Sequence, residues 1–144
     1  MKVGITGTRE GMDVDQIECV YNLLTEIMSE CNNLSIVPEF HHGDCVGVDV
    51  QAAIIAKELK YKVIAHPGPA GELQAGHASD EIRENITHFK RNRNIVNECD
   101  VLVVVPMQDA WQSKGGTWYT ASYAKKKGKP YFIIYPGGRQ ETDN

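Results

Sequence analysis

No stretch of the 144-residue sequence approaches the unbroken run of about 18–20 apolar residues that a membrane-spanning helix needs, so insertion into a bilayer is not expected. Four cysteines, Cys19, Cys31, Cys45 and Cys99, form no CxxC pair. That argues against a zinc knuckle and against a disulfide framework. The opening Met1-Lys2-Val3-Gly4-Ile5-Thr6 lacks the charged lead, long apolar run and small-residue cleavage site of a secretory signal, and a cytoplasmic chain with reduced thiols is the expectation. Positive charge is not in excess either. With 19 acidic and 15 basic residues the formal net charge is −4, which is ill suited to neutralising a phosphate backbone, and nucleic acid is not expected as a partner. The chain has no internal repeat and no linker-like segment.

What is present has globular proportions, 42% hydrophobic and 24% charged, and its length suits a single domain with one core. We assign residues 1–136 to that domain and 137–144 to a polar, frayed tail. Residues 2–6 are apolar and rich in β-branched side chains, as in a buried strand. From Asp13 onward Ile17, Val20, Tyr21, Leu24, Ile27 and Met28 recur at helical spacing, with Asp13 as the N-cap. A strand is expected over 34–40, weakened by Pro38. An alanine-rich helix over 48–59, a strand over 62–66 and a long loop over 67–80 come next. A helix beginning near Glu81 or Phe89 and ending near Asn97 leads into "DVLVVVP", the unbroken apolar run of a central parallel strand. A further helix and the strand "YFIIYP" complete the pattern. Strand and helix alternating in this way predict an α/β, Rossmann-like open doubly wound sheet of about five mainly parallel strands flanked by helices, in order 3-2-1-4-5.

In that topology strands one and four meet where the strand order reverses, and ligands bind beyond their C-terminal ends. Three glycine-bearing loops fall at that edge. "GTREG" offers Gly7, the Thr8 hydroxyl and the Arg9 guanidinium, a planar fork suited to phosphate. "HGDCVG" contributes Gly43 and Asp44, the latter able to accept hydrogen bonds from ribose hydroxyls or to cap a helix. "KGGT" places Lys114, Gly115, Gly116 and Thr117 at a helix start, where unpaired amides and the helix dipole favour an anion. Trp111, in the same loop, is the candidate for stacking on a base. If the site is catalytic, Glu10 and Asp44 are the carboxylates at that edge. His41 and His42 lack a third ligand at metal spacing, so no metal is expected, and no cofactor beyond the ligand itself.

Four motifs in order, "GITGTRE", "HHGDCVGVDVQAAIIAKEL", "RNRNIVNECDVLVVVP" and "GGTWYTASYAKKKGKP", resemble the Smf/DprA-LOG (SLOG) superfamily of Rossmann-like nucleotide-binding proteins over nearly the whole chain. The resemblance implies binding of a nucleotide or ADP-ribose-like ligand, by a sensor or sequestering module, and a homodimer paired through helices beside the site. Arg91, nine residues before Asp100, matches the upstream arginine of the LOG-type phosphoribohydrolases. Their GTxxE glutamate does not match. Counted from Gly116 and Thr117, that position is Thr120, and an eight-residue insertion, Met107 to Lys114, precedes the glycine pair. Binding without hydrolysis is therefore the first expectation, and an N-glycosidase or glycosyltransferase acting on a nucleotide the alternative.

Overall fold

A computed structural model describes residues 1–71 and 74–143; Glu72 and Leu73 of the expected 67–80 loop, and Asn144 of the tail, lie outside the described residues. The elements run β1 (Lys2–Gly7), α1 (Val14–Asn33), β2 (Glu39–His42), α2 (Val48–Glu58), β3 (Lys62–Ala65), β4 (Glu81–Ile82), α3 (His88–Glu98), β5 (Val101–Val105), α4 (Gly116–Lys126), β6 (Tyr131–Ile134) and β7 (Gln140–Asp143). They form one sheet in the order β4-β3-β2-β1-β5-β6-β7, in which every pairing is parallel except β6 with β7. The expected α/β Rossmann-like order stands at its centre, as β3-β2-β1-β5-β6. No helix among the described residues is long and apolar enough to cross a membrane.

Two apolar clusters explain the layering. Alternate residues of the central strands, among them Val3, Ile5, Phe40, Val103 and Ile134, pack with Val20, Leu24, Val48 and Ala52 of α1 and α2. The opposite alternation, Leu102, Val104, Tyr131 and Ile133, packs with Ile95, Val96, Trp118 and Ala121 of α3 and α4. β5 is buried along its whole length because helices cover both faces, which is why its sequence is unbroken Val and Leu.

Three expected boundaries are corrected. Residues 34–37 are not strand: the amides of Leu34, Ser35 and Ile36 return to carbonyls in the last turn of α1, which leaves them no register with β1. β2 begins at Glu39 instead and runs through His42. Of the two expected starts of the third helix, Glu81 is set aside, since Glu81 and Ile82 add a two-residue edge strand to β3, and α3 starts at His88, one residue before Phe89. The tail is not frayed over 140–143, which pair antiparallel with β6. Gly137 N–H donates to Asp13 Oδ2 at 2.9 Å and the Tyr135 hydroxyl to Glu141 at 2.7 Å, so the turn before β7 is fastened to α1.

Gln16 joins the two ends of this arrangement. Its Oε1 accepts from Asp13 N–H (3.0 Å) while Asp13 accepts from Gln16 N–H (2.7 Å), a reciprocal cap on α1. Its Nε2 donates to the carbonyls of Pro106 (2.9 Å) and Ile134 (3.0 Å), at the ends of β5 and β6. Gln16→Met keeps the volume but strands these buried carbonyls, and chemical denaturation is expected to show a loss of about 2–3 kcal/mol with unchanged far-UV circular dichroism. A loss below about 0.5 kcal/mol would mean that the amide does not hold the strand ends.

Candidate functional site

A cleft of about 780 Å³ opens beyond the C-terminal ends of β1 and β5, at the point where the strand order reverses. Its walls are the β1–α1 loop, the loop before α4, and the first turns of α3 and α4. Of the residues expected at the site, Gly7, Thr8, Arg9, Glu10, Arg91, Lys114, Gly115, Gly116 and Thr117 line it. Gly43, Asp44 and Trp111 do not.

The α4 end is open. Gly115 takes φ +107 as the N-cap and contributes no side-chain hydrogen bond; the first intrahelical bond is Tyr119 N–H to Gly115 C=O, at 2.8 Å. The amides of Gly116, Thr117 and Trp118 therefore have no acceptor among the described residues, and they carry the positive end of the helix dipole. Lys114 and Arg9 are exposed, and neither side chain has a hydrogen-bond or ion-pair partner among the described residues. A Cβ at Gly116 would meet nothing within 4 Å, so the backbone there faces open space.

The start of α2 is closed. Gly47, at φ +87, lies so near the β1–α1 loop that a Cβ would approach the Arg9 carbonyl oxygen to 2.5 Å. Thr8 C=O accepts the first amide of α2, from Val48, at 3.1 Å. The Thr8 amide donates to Val105 C=O at 3.1 Å, and its hydroxyl accepts from Glu10 N–H at 3.1 Å. Of the amides expected to receive phosphate, that of Thr8 is thus already engaged, whereas those of α4 are free.

Arg91 is the larger surprise. It lines the cleft yet is only 3% exposed, and all five of its N–H donors are used. Nε donates to Asn92 Oδ1 (2.6 Å), and Nη1 to the carbonyls of Gly43 and His66 (3.2 Å to the latter). Nη2 reaches Cys45 Sγ (3.5 Å) and His88 Nδ1 (3.0 Å). It clamps three segments and offers no open fork to a phosphate. Gly43 serves the same clamp, because a Cβ there would lie 2.5 Å from Arg91 Nη1. Asp44, at φ +54, accepts from Gly76 N–H (3.1 Å) and His77 N–H (2.9 Å), which ties down the loop before β4 and turns its carboxylate from the cleft. Trp111 packs on Trp118 (5.0 Å between ring centroids) and Tyr131 (6.1 Å), beneath Lys125. The aromatic surface at the cleft is instead Phe89, 55% exposed and 4.5 Å from the Tyr119 ring.

Cys45 and His88 were not expected at the site, while Asp49 is buried near the start of α2, as a residue in the first turn of the expected helix would be. Burial pushes the Asp49 carboxyl up to about 6, against the opposing pull of the Arg91 charge and of the Gly43 amide, which donates to Oδ2 at 2.8 Å. Burial and then Asp49 raise the Cys45 thiol. His88 is lowered by burial and by Arg91, so its neutral imidazole accepts at Nδ1. Nothing in the spacing of Cys45 and His88 marks them, because their position depends on which way the β2–α2 loop and α3 turn. The carboxylate position of the GTxxE motif is filled by Thr120, whose hydroxyl donates to Gly116 C=O at 2.9 Å.

Two solved structures share this architecture. The molybdenum cofactor binding protein of the phototrophic bacterium Rippkaea orientalis superposes with a TM-score of 0.67 at 20% identity, over 93% of this chain and 76% of that one. DNA processing protein A of Helicobacter pylori, known for its mode of binding single-stranded DNA, superposes at 0.61 and 21% identity, over 92% of this chain and 64% of that one. The α/β Rossmann-like fold expected from the sequence is borne out by these likenesses. No family model and no curated protein sequence matches the chain.

Because the folded-state value of Asp49, about 6, lies above its ordinary value of 3.8, between those pH values the native protein holds a proton that the unfolded chain has released. The stabilisation this gives is complete below about pH 4 and is lost as pH rises through 6. Asp49→Asn keeps an acceptor for the Gly43 amide and cannot ionise. Relative to wild type, the variant is expected to gain about 2–3 kcal/mol between about pH 4 and 7 in paired denaturation curves. A constant difference across that range would show that Arg91 fully compensates the buried charge.

Proposed function

We propose that the protein binds a nucleotide or ADP-ribose-like phosphorylated small molecule in the cleft and holds it intact, as a sensor or sequestering module. The observation that carries this reading is the open start of α4, with unpaired amides at Gly116 and Thr117 flanked by the unpartnered cations Arg9 and Lys114. Such a group matches a phosphate in charge and in hydrogen-bond sense. Phe89 of α3 and Tyr119 of α4, in contact across the cleft lining, supply a face for a planar ring. The cleft volume falls within the range that small-ligand sites occupy. That one protein of this fold is described as binding the molybdenum cofactor supports a small-cofactor site in the same architecture.

Hydrolysis of an N-glycosidic bond is the second reading, and a specific observation keeps it in view. Glu10 is exposed at the cleft with no side-chain partner among the described residues, a carboxylate in reach of a ligand. Binding is favoured over it because Thr120 stands where the hydrolase motif has its glutamate. Pairing of two copies through helices beside the site belongs to the same proposal.

A panel of nucleoside mono- and diphosphates, NAD and ADP-ribose tested by thermal shift decides between these readings when each mixture is also analysed for released base. A ligand at a hundredfold excess over its Kd adds about 2.7 kcal/mol and raises Tm by several degrees. Arg9→Ala and Gly116→Val are expected to keep the unliganded Tm and to abolish the ligand-induced rise. Free base that accumulates with protein, and is lost in Glu10→Gln, would replace binding by hydrolysis. No rise with any phosphate on the panel would end both readings.

A further inference from the structure

Away from the cleft, His41, His66 and Glu98 meet on the sheet face that α3 covers. The register explains how: His41 pairs with Ile64, and His66, one residue past the end of β3 with its amide still bonded to His42 C=O, lies diagonally beside it on the same face. Glu98 reaches them from the last position of α3. His41 Nδ1 and His66 Nε2 lie 2.8 Å apart, His66 Nε2 lies 3.6 Å from Glu98 Oε2, and the three ligand atoms all fall within 4.8 Å of one another. A tetrahedral ion with bonds of about 2.0–2.1 Å needs its ligand atoms roughly 3.3 Å apart, so the two imidazole nitrogens must open by about half an ångström and the widest pair must close by at most about 1.5 Å.

From this geometry we infer a site for a divalent transition ion of the zinc class, held by His41 Nδ1, His66 Nε2 and the Glu98 carboxylate, with water in the fourth position. The surroundings are built for it. His41 Nε2 lies 2.9 Å from Glu39 Oε1, the carboxylate–imidazole contact that fixes the opposite nitrogen as the ligand. Arg83 Nη1 donates to both oxygens of Glu98, at 2.9 and 3.1 Å, and holds the carboxylate in place. The side chains of His41 and His66 are 0% and 4% exposed while that of Glu98 is 32% exposed, so the imidazoles are shielded and the carboxylate marks the route in from solvent. The C-terminal end of α3 adds a negative pole beside Glu98. Two imidazoles and one carboxylate are a borderline-hard set that suits zinc better than calcium or magnesium. Uptake replaces the His41–His66 hydrogen bond: the His66 proton moves to Nδ1 by exchange with water, and Nε2 is left to bind the ion. The ion would fasten β2, β3 and α3 beside the Arg91 clamp, since the His66 carbonyl is one of the acceptors of Arg91.

The test uses the full chain, stripped with a chelator and then equilibrated with zinc(II) or cobalt(II). Elemental analysis is expected to return one zinc per chain, zinc to raise Tm, and cobalt(II) to show the intense visible bands of a tetrahedral site. Glu98→Gln, a change at a partly exposed side chain, is expected to weaken zinc binding by more than tenfold, and Glu39→Gln, behind His41, by about 10–100-fold. His66→Asn should abolish the cobalt spectrum, while Arg9→Ala, which disables the cleft, should leave it unchanged. No uptake by the wild-type chain, or equal affinity in Glu98→Gln and wild type, would overturn the assignment.

Discussion

The buried guanidinium of Arg91 is the contact on which the site depends. A fully desolvated charge is tolerated only if every donor finds an acceptor, and here the acceptors come from three separate segments: the β2–α2 loop, the end of β3 and the first turn of α3. Meeting that requirement fixes where those segments lie. Gly43 must be glycine for the clamp to close, Asp49 supplies the opposing charge nearby, and His88 is held with its acceptor nitrogen toward the arginine. The wall of the cleft on that side is thus a consequence of satisfying one cation.

The opposite wall follows a different rule. At the start of α4 no acceptor among the described residues satisfies the first amides, and the two nearby cations are exposed. One side of the cleft is internally complete and rigid, the other is chemically unfinished. The proposed division of labour follows from that contrast, with the finished wall as scaffold and the unfinished wall as recognition surface.

Much of the fold was legible. The apolar run of β5 and the short β-branched run of β1 identified the central strands, and the alternation of elements gave their order, because burial on both faces leaves a direct trace in composition. The edge strands left none. β4 is two residues long with Ile82 64% exposed, and β7 is exposed throughout, so both are held by backbone pairing, which no side-chain pattern records. The site divides in the same way. Arg9, Lys114 and the glycine pair could be placed because loops at strand ends face the ligand edge whatever their detail. Gly43 and Asp44 stand in the expected loop and Arg91 in the expected helix, but the side chains of Asp44 and Arg91 turn inward, and motif spacing does not encode the direction in which a side chain turns. The His41, His66 and Glu98 grouping arises from strand register and helix length together, neither of which is visible in spacing along the chain.

The packing of Trp111 on Trp118 has an optical meaning. These are the only tryptophans of the chain, both belong to the segment that runs from the insertion into α4, and Trp118 Nε1–H donates to Gln108 Oε1, itself on the cleft wall, at 2.9 Å. Intrinsic fluorescence from this protein is therefore a local signal. It reports the rim of the cleft, without any introduced label, while the remaining aromatic residues are silent at tryptophan-selective excitation.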